Sequence, residues 1–285
     1  MNILPLHFYV NKVILYSMIK SKGDSGQSVV IGALLLLALF VAFISWFQIT
    51  QVPILNQNAE AENNEMIRTE MFEFQEKSYD SILNDNVNQI SFQTKVDYDY
   101  QISGFQHKIG QFSVTEFNNE PINVTDANKN VSGLPLSMIS LKYTPSYIER
   151  TEIPFIYENG ILIENQTTTR LDKGGQRFIR GNNIYMFEFE TNFVALQSPR
   201  IVFFTVPDID LQETIITGEI ENGTRQDIKI ELDTNLSVDI WKRLLSNQGH
   251  VKDVKDVSDN GGSIIITLDG KEEYKVSTGK AIIEQ

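Results

Sequence analysis

From Ser28 to Thr50 the chain reads SVVIGALLLLALFVAFISWFQIT and holds no charged residue. A run of about 23 residues of that composition predicts a helix ~35 Å long, enough to cross the hydrocarbon core of a bilayer. Pro53 follows. Its ring clashes with the preceding turn and it has no amide donor, so a kink or break is expected there. Helical spacing then resumes over 54–83. Ile67, Met71, Phe74, Ser78 and Ile82 recur at steps of three and four, and Leu55, Ala59 and Met66 extend that apolar side. Glu60, Glu62, Glu65, Glu73, Glu76 and Lys77 are assigned to the polar side. An amphipathic helix must bury its stripe, either against the chain's own β domain or against other subunits. Asn84, Asp85 and Asn86 are expected to end it.

Beyond Asn86 the period changes from helix to strand. Val96, Tyr98, Tyr100 and Ile102 alternate with Lys95, Asp97, Asp99 and Gln101, and the pattern repeats at Ile139, Leu141 and Tyr143 and at Tyr185, Phe187 and Phe189. Asn159-Gly160, Asn222-Gly223, Asn260-Gly261 and Asp269-Gly270 suit tight hairpin turns. The clearest hairpin is TIITGEIENGTRQDIKIEL, with Ile228, Ile230 and Leu232 on one face, and SIIITLDGKEEYKV is a second. Sheets with one wet face make such alternation, and two of them stacked make a sandwich. One short helix, VDIWKRLLSNQ, interrupts the strands, with Ser237 as N-cap, Asp239 in its first turn and Ile240, Trp241 and Leu244 on its buried side. The predicted fold is mainly β with a long N-terminal α-helix: a transmembrane and stalk helix followed by an antiparallel β-sandwich head. A boundary at Gln197-Ser198-Pro199 would divide the head into lobes over 86–197 and 198–285; one larger sandwich is the alternative.

The flanks of the apolar run set its orientation. Lys12, Lys20 and Lys22 precede it, and the next basic residue after it is Arg68. The positive-inside rule then keeps the N-terminus in the cytoplasm and sends the bulk of the chain outside, as a single-pass membrane protein. Trp46 and Phe47 fall near the outer end, where aromatic rings favour the interface. Gly32 would allow close approach of another helix. Residues 1–26 read as a leader. Met18 offers a start that leaves only MIKSKGDSG before the apolar run, so 1–17 are expected not to be translated.

Charge and composition narrow the function. The net charge is −13, from 37 acids against 24 bases. An acidic head does not suit the phosphate backbone, so no nucleic-acid partner is expected. The chain has no Cys, which excludes disulfides, thiolate metal sites and cysteine nucleophiles.

The leader carries a resemblance. A short basic stretch, a Gly, then Gln27-Ser28-Val29-Val30-Ile31-Gly32 and a Leu/Ala run resembles the N-terminus of archaeal type IV pilin-like proteins, especially those of halophiles. The resemblance implies a cut by prepilin peptidase on the cytoplasmic side, here between Gly26 and Gln27, with the helix over 27–50 retained on the mature chain. Ser25 stands where a charged residue is common, and Val30 and Ile31 stand where many mature pilins have Glu. An uncleaved signal anchor is the other reading of the same residues. The stretch QITQVPILNQNAEAENNEMIRTEMFEFQEK over 48–77, ahead of the end of the stalk at 85, is similar to that of haloarchaeal surface proteins with a pilin-like anchor and a β-rich exterior. That likeness implies location and architecture and brings no catalytic residue.

A search for chemistry returns little. His107 and His250 lack the spacing of a zinc site, and no P-loop, nucleophile elbow or dinucleotide glycine pattern occurs. Asp172-Lys-Gly-Gly and Asp259-Asn-Gly-Gly read as turns rather than calcium loops. Asp97 and Asp99 share the polar face of one strand and read as solvated. No cofactor, metal or catalytic residue is expected. Five glycosylation sequons begin at Asn123, Asn130, Asn165, Asn222 and Asn235, and an outside location would make them usable.

The expected function is that of a pilin-like, membrane-anchored surface protein, either a minor subunit of a pilus-like system or a non-polymerising relative. Its partners would be lipid, prepilin peptidase and other pilin-like subunits. The alternative is a signal-anchored extracellular module that binds glycan or envelope, with an anchored hydrolase a more distant third. If translation begins at Met18, a tryptic map of the precursor yields no peptide from 2–17; recovering one overturns that expectation.

Overall fold

The structure is a computed structural model and describes residues 25–98, 108–116, 122–126, 129–134, 139–164, 170–190, 195–207, 214–217, 220–222, 224–246, 254–261 and 263–284. The chain divides into two compact units, Met1–Ile54 and Leu55–Gln285. Helix α1 (Ser25–Asn84) begins in the first and ends in the second, and its helical assignment continues through Pro53. The break expected at that proline is therefore absent. Asp85, in the left-handed region at φ 51°, stops the helix where the Asn-Asp-Asn run predicted.

In the first unit the apolar run is helical and uncovered. In the second, the later part of α1 is the centre of a β body. The body contains β1 (Asn88–Gln93), β2 (Gln111–Glu116), β3 (Ile122–Asp126), β4 (Lys129–Leu134), β5 (Ile139–Thr144), β6 (Phe155–Glu158), β7 (Ile161–Glu164), β8 (Arg170–Gln176), β9 (Ile179–Arg180) and β10 (Asn183–Glu190). It continues with β11 (Ala195–Leu196), β12 (Arg200–Pro207), β13 (Thr214–Thr217), β14 (Ile220–Glu221), β15 (Thr224–Arg225), β16 (Ile228–Asp233), helix α2 (Val238–Ser246), β17 (Val254–Asp259), β18 (Ser263–Leu268) and β19 (Glu273–Glu284). The first sheet runs β1-β12-β19-β10-β9, with β13 also on β19; the second runs β11-β2-β5-β6-β7-β8; the third runs β17-β18-β16-β3-β4; β14 and β15 pair alone.

The stripe foreseen on α1 is buried by this body. Ile67, Met71 and Phe74 are fully enclosed in a core with Ile90, Phe92, Ile201 and Phe203 from the first sheet and Phe112, Leu141, Tyr143 and Tyr157 from the second. The ring of Phe74 lies 5.0 Å from Tyr157, 5.4 Å from Phe203 and 6.1 Å from Phe92. Such tilted and edge-on aromatic contacts add to the gain from burial alone. Near the end of α1, Gly279 of β19 lets strand and helix approach: a Cβ there would sit 2.6 Å from Ile82 and 3.0 Å from Phe187.

A second core lies around the third sheet. Ile228, Ile230 and Leu232 share one face of β16, as the alternation required, and meet Ile264, Ile266 and Leu268 of β18. Helix α2 closes this core with Trp241, Leu244 and Leu245. Ser237 stands at the N-cap position of α2, where its carbonyl accepts the amides of Ile240 and Trp241, but its hydroxyl makes no capping bond among the described residues. The indole of Trp241 is buried edge-on to Phe178, 5.7 Å between centroids, and donates to the Thr234 hydroxyl at 3.0 Å.

Several pairings differ from the sequence reading. Asn159-Gly160, Asn222 and Asn260-Gly261 do mark hairpins between β6 and β7, β14 and β15, and β17 and β18. The long hairpin over 214–232 does not form. β13 pairs with β19 and β16 pairs with β18 and β3, leaving only the two-residue tip. β18 and β19 are not partners either; the Asp269-Gly270 turn hands the chain from the third sheet to the first. The first sheet is mixed, because β19 runs parallel to β10. Strands from both sides of Gln197-Ser198-Pro199 share that sheet through the β1–β12 and β10–β19 pairs. A cut there would separate hydrogen-bonded neighbours, so the junction is not a boundary between two lobes. Val96 and Tyr98 are buried with Asp97 exposed between them, but the segment makes only one bridge, Lys95 to Ile109; Tyr100 and Ile102 lie outside the described residues. Asp172–Gly175, read as a turn, lies in β8, where the pairing with β7 is irregular.

Replacing Phe74 with Ala should lower the unfolding free energy of the β body by ~3–5 kcal/mol. Gly279→Val should also destabilise, by ~1–3 kcal/mol, because Ile82 and Phe187 must move. Urea unfolding of the detergent-solubilised chain checks both; a change under ~0.5 kcal/mol at either position would contradict this packing.

Candidate functional site

Along 28–50 most apolar side chains are exposed, and the rings of Phe43 and Trp46 lie 5.9 Å apart on the helix surface. Val29, Leu36 and Ile49 expose 73%, 70% and 74% of their surface, and nothing lies within 4 Å of a Cβ placed on Gly32. The helix is long and apolar enough to cross a membrane. Its two well-placed hydroxyls are satisfied within the helix: Ser45 donates to the Val41 carbonyl at 2.8 Å and Thr50 to that of Trp46 at 2.7 Å. Polar groups paired in this way ask nothing of their surroundings, which a hydrocarbon solvent requires. Gly26 and Gln27 lie at the very start of α1, on the N-terminal side of this surface.

A polar site that the sequence pattern missed lies within the second unit. Glu60, assigned to the polar side, is fully buried. Its Oε1 accepts the amide of Ile148 at 2.6 Å and the Tyr98 hydroxyl at 2.9 Å; its Oε2 accepts the amide of Arg150 at 2.9 Å, and the Glu149 amide lies 3.1 and 3.2 Å from the two oxygens. Burial and this carboxylate push the Tyr98 phenol well above its ordinary range. Asn63 extends the site, donating to the carbonyls of Gln93 and Lys95, and the Tyr147 hydroxyl reaches both Asn63 and Asn64 at 3.4 Å. A signal was present in the chain: Glu60 and Asn63 continue the stripe of Ile67, Met71 and Phe74 at steps of three and four. What the helical pattern could not show is that the backbone at 148–150 offers three convergent donors, which make burial of a carboxylate tolerable.

Two further carboxyls are perturbed. Glu158, at the end of β6, is fully enclosed, and burial pushes its pKa up to about 7 against the opposing pull of bonds from the Thr234 hydroxyl, the Asn235 amide and Ser140. Glu70 on α1 is also raised to about 7, first by burial and then by the Glu73 charge, with the Gln93 amide acting the other way. A small cavity of about 10 Å³ beside Tyr79, Tyr157, Arg177 and Tyr185 has room for a single water. Arg180 lies over the Tyr79 ring at 5.0 Å, and Arg177 pairs with Glu76.

The sequons divide by their surroundings. Asn123 lies in β3, opposite Glu231 of β16 and at an irregularity of the β3–β4 pairing, and Asn130 lies in β4 opposite Thr125. Asn222 is exposed at a turn and Asn235 is exposed at the bend between β16 and α2. Asn165, His107, His250 and Asp99 lie outside the described residues. Asp97 is exposed and pairs with Lys95 at 2.7 Å. Among the described residues no group of three or more His, Asp or Glu is placed to hold a metal ion.

Comparison with protein-family models, with curated proteins and with solved structures gave no match to this chain.

The buried carboxyls make a pH prediction. An acid with a raised folded-state pKa binds its proton more tightly in the folded chain, so its stabilising share is complete below the ordinary value of 4.5 and is lost as pH rises toward 7. For Glu158 the loss is roughly 3 kcal/mol at ~1.4 kcal/mol per unit. Glu158→Gln should flatten most of the fall between pH 4.5 and 7 in urea midpoints, leaving a smaller slope from the half-exposed Glu70. An unchanged slope would show that Glu158 is ionised in the folded chain.

Proposed function

We propose that this chain is a membrane-held surface protein of pilin-like architecture, with residues 28–50 in the bilayer or against equivalent helices of other subunits, and the β body outside the cell. The observation that carries the reading is the division of labour along α1. Its first part presents an uncharged, fully uncovered apolar surface, and its later part supplies the centre of the body's core. The basic residues ahead of the apolar run and their absence until Arg68 support the outward orientation. The residues at Gly26 and Gln27 support removal of the leader by a prepilin peptidase, which keeps the helix on the mature chain.

On this reading the protein acts by position and contact rather than by chemistry. Lipid and other pilin-like subunits are its partners, and it serves as a minor subunit or a non-polymerising relative. The acidic balance of the exterior keeps such a body soluble and repels the phosphate backbone of nucleic acid.

The test is processing followed by shear. Gly26→Arg should leave a heavier precursor on a gel, and mass spectrometry of the mature wild-type chain should find Gln27 at its N-terminus. A filament subunit should leave intact cells with sheared material, and a non-polymerising relative should stay with the membrane. An unprocessed wild-type chain with its leader intact would replace this reading with an uncleaved signal anchor.

A further inference from the structure

We propose that Asn235 is a glycan acceptor, modified on the bend that joins β16 to α2; this rests on the outward orientation argued above. The sequon is Asn235-Leu236-Ser237, and all three residues fall within the described chain. Their backbone is committed. The Asn235 amide donates to Glu158 at 3.3 Å, the Leu236 amide donates to the Thr234 hydroxyl at 3.0 Å, and the Ser237 carbonyl accepts the first amides of α2. Leu236 is buried. The two side chains that the transfer chemistry needs are the exception. Asn235 and Ser237 are both exposed, and neither side chain makes a hydrogen bond to another described residue. The bend therefore holds a carboxamide and a hydroxyl, two residues apart, out in solvent on a rigid base.

Asn222 is also exposed, at the β14–β15 turn, but two of the other sequons differ. Asn123 sits in an interior strand of the third sheet and Asn130 beside it in β4, so an acceptor enzyme would have to draw a paired strand out of its ladder. At Asn235 no ladder is broken, because β16 ends at Asp233 and α2 begins at Val238.

The co-substrate is an oligosaccharide carried on a lipid phosphate. The Asn235 Nδ2 attacks C1 of its first sugar, and a carbon–nitrogen bond forms as the bond from C1 to the phosphate oxygen breaks. The electron pair leaves with the lipid phosphate, and one amide proton passes to a base on the transferase. Nothing is oxidised or reduced.

The experiment uses the full chain isolated from the membranes of the cells that make it. Peptide mapping by mass spectrometry should find the Asn235 peptide carrying hexose or related sugar, and Asn235→Gln and Ser237→Ala should each remove one gel shift. Ser237→Thr should retain it. The serine pair separates loss of the sequon from loss of the fold, because the Ser237 side chain makes no bond that α2 relies on. Protease added to intact cells is the second arm. A digested body with a bare Asn235 overturns this proposal alone. A protected body overturns the outward orientation, and this proposal with it.

Discussion

The contact of Phe74 with rings from two sheets is the interaction on which the β body depends. Phe92 and Phe203 approach it from the first sheet and Tyr157 from the second, and Phe112 of the second sheet packs on Phe92 and Phe203 beside it. A helix fills space that neither sheet could close across without it. Interiors tolerate few voids, so the body cannot exist as a sandwich alone and then receive its helix. This is why the residues from Leu55 onward group with the strands as one unit. Gln75 reinforces the same point from the next position, donating to the Gly160 carbonyl at 2.7 Å inside the β6–β7 turn.

Apolar packing alone would leave the rotation of that helix loosely specified. Ile, Met and Phe make non-directional contacts, and cores tolerate some repacking. The Glu60 clamp is directional. Three successive amides at 148–150 and one phenol aim at a single carboxylate, so a turn of the helix by one residue would leave a buried charge without partners, a cost of several kcal/mol. The clamp thus converts a greasy stripe into a defined register. Lys77 does similar work on the exposed side, donating to the Gln89 carbonyl at 3.0 Å while its own carbonyl accepts from Asn88.

Local patterns carried much of this fold in the amino-acid order, and the reason they stopped is physical. The stripe on α1, the face of β16, the helix at 238–246 and three of the four glycine turns follow from periodicity and turn chemistry, which act over a few residues. Strand partnership does not. TIITGEIENGTRQDIKIEL reads as one hairpin because its ends are close in sequence, yet β13 finds β19 and β16 finds β18, choices settled by which cores have room. Strand β10, Asn183–Glu190, also hides its setting. Ile184 and Met186 face one core and Phe187 the other, so alternation marks a strand but not a strand buried on both sides. Glu60 falls on the polar side of the helical pattern because the amides that enclose it come from 88 to 90 residues away, beyond the reach of any local pattern.

The helix over 28–50 has no apolar cover among the described residues. The Ser45 and Thr50 hydroxyls are bonded within the helix, the segment has no charge, and none of its apolar window is buried. At ~25 cal/mol per Å² of apolar surface, a segment of that kind left in water would cost more than a domain's whole net stability. Something apolar outside the chain has to take its place, and a bilayer or a bundle of like helices meets that demand equally well, since neither offers water to the side chains or needs a polar partner from them. The two differ in what they ask of the helix surface. Lipid accepts any apolar contour, while a bundle rewards close approach at small residues such as Gly32. The helix carries an uncharged apolar contour for the first and a single glycine, Gly32, for the second.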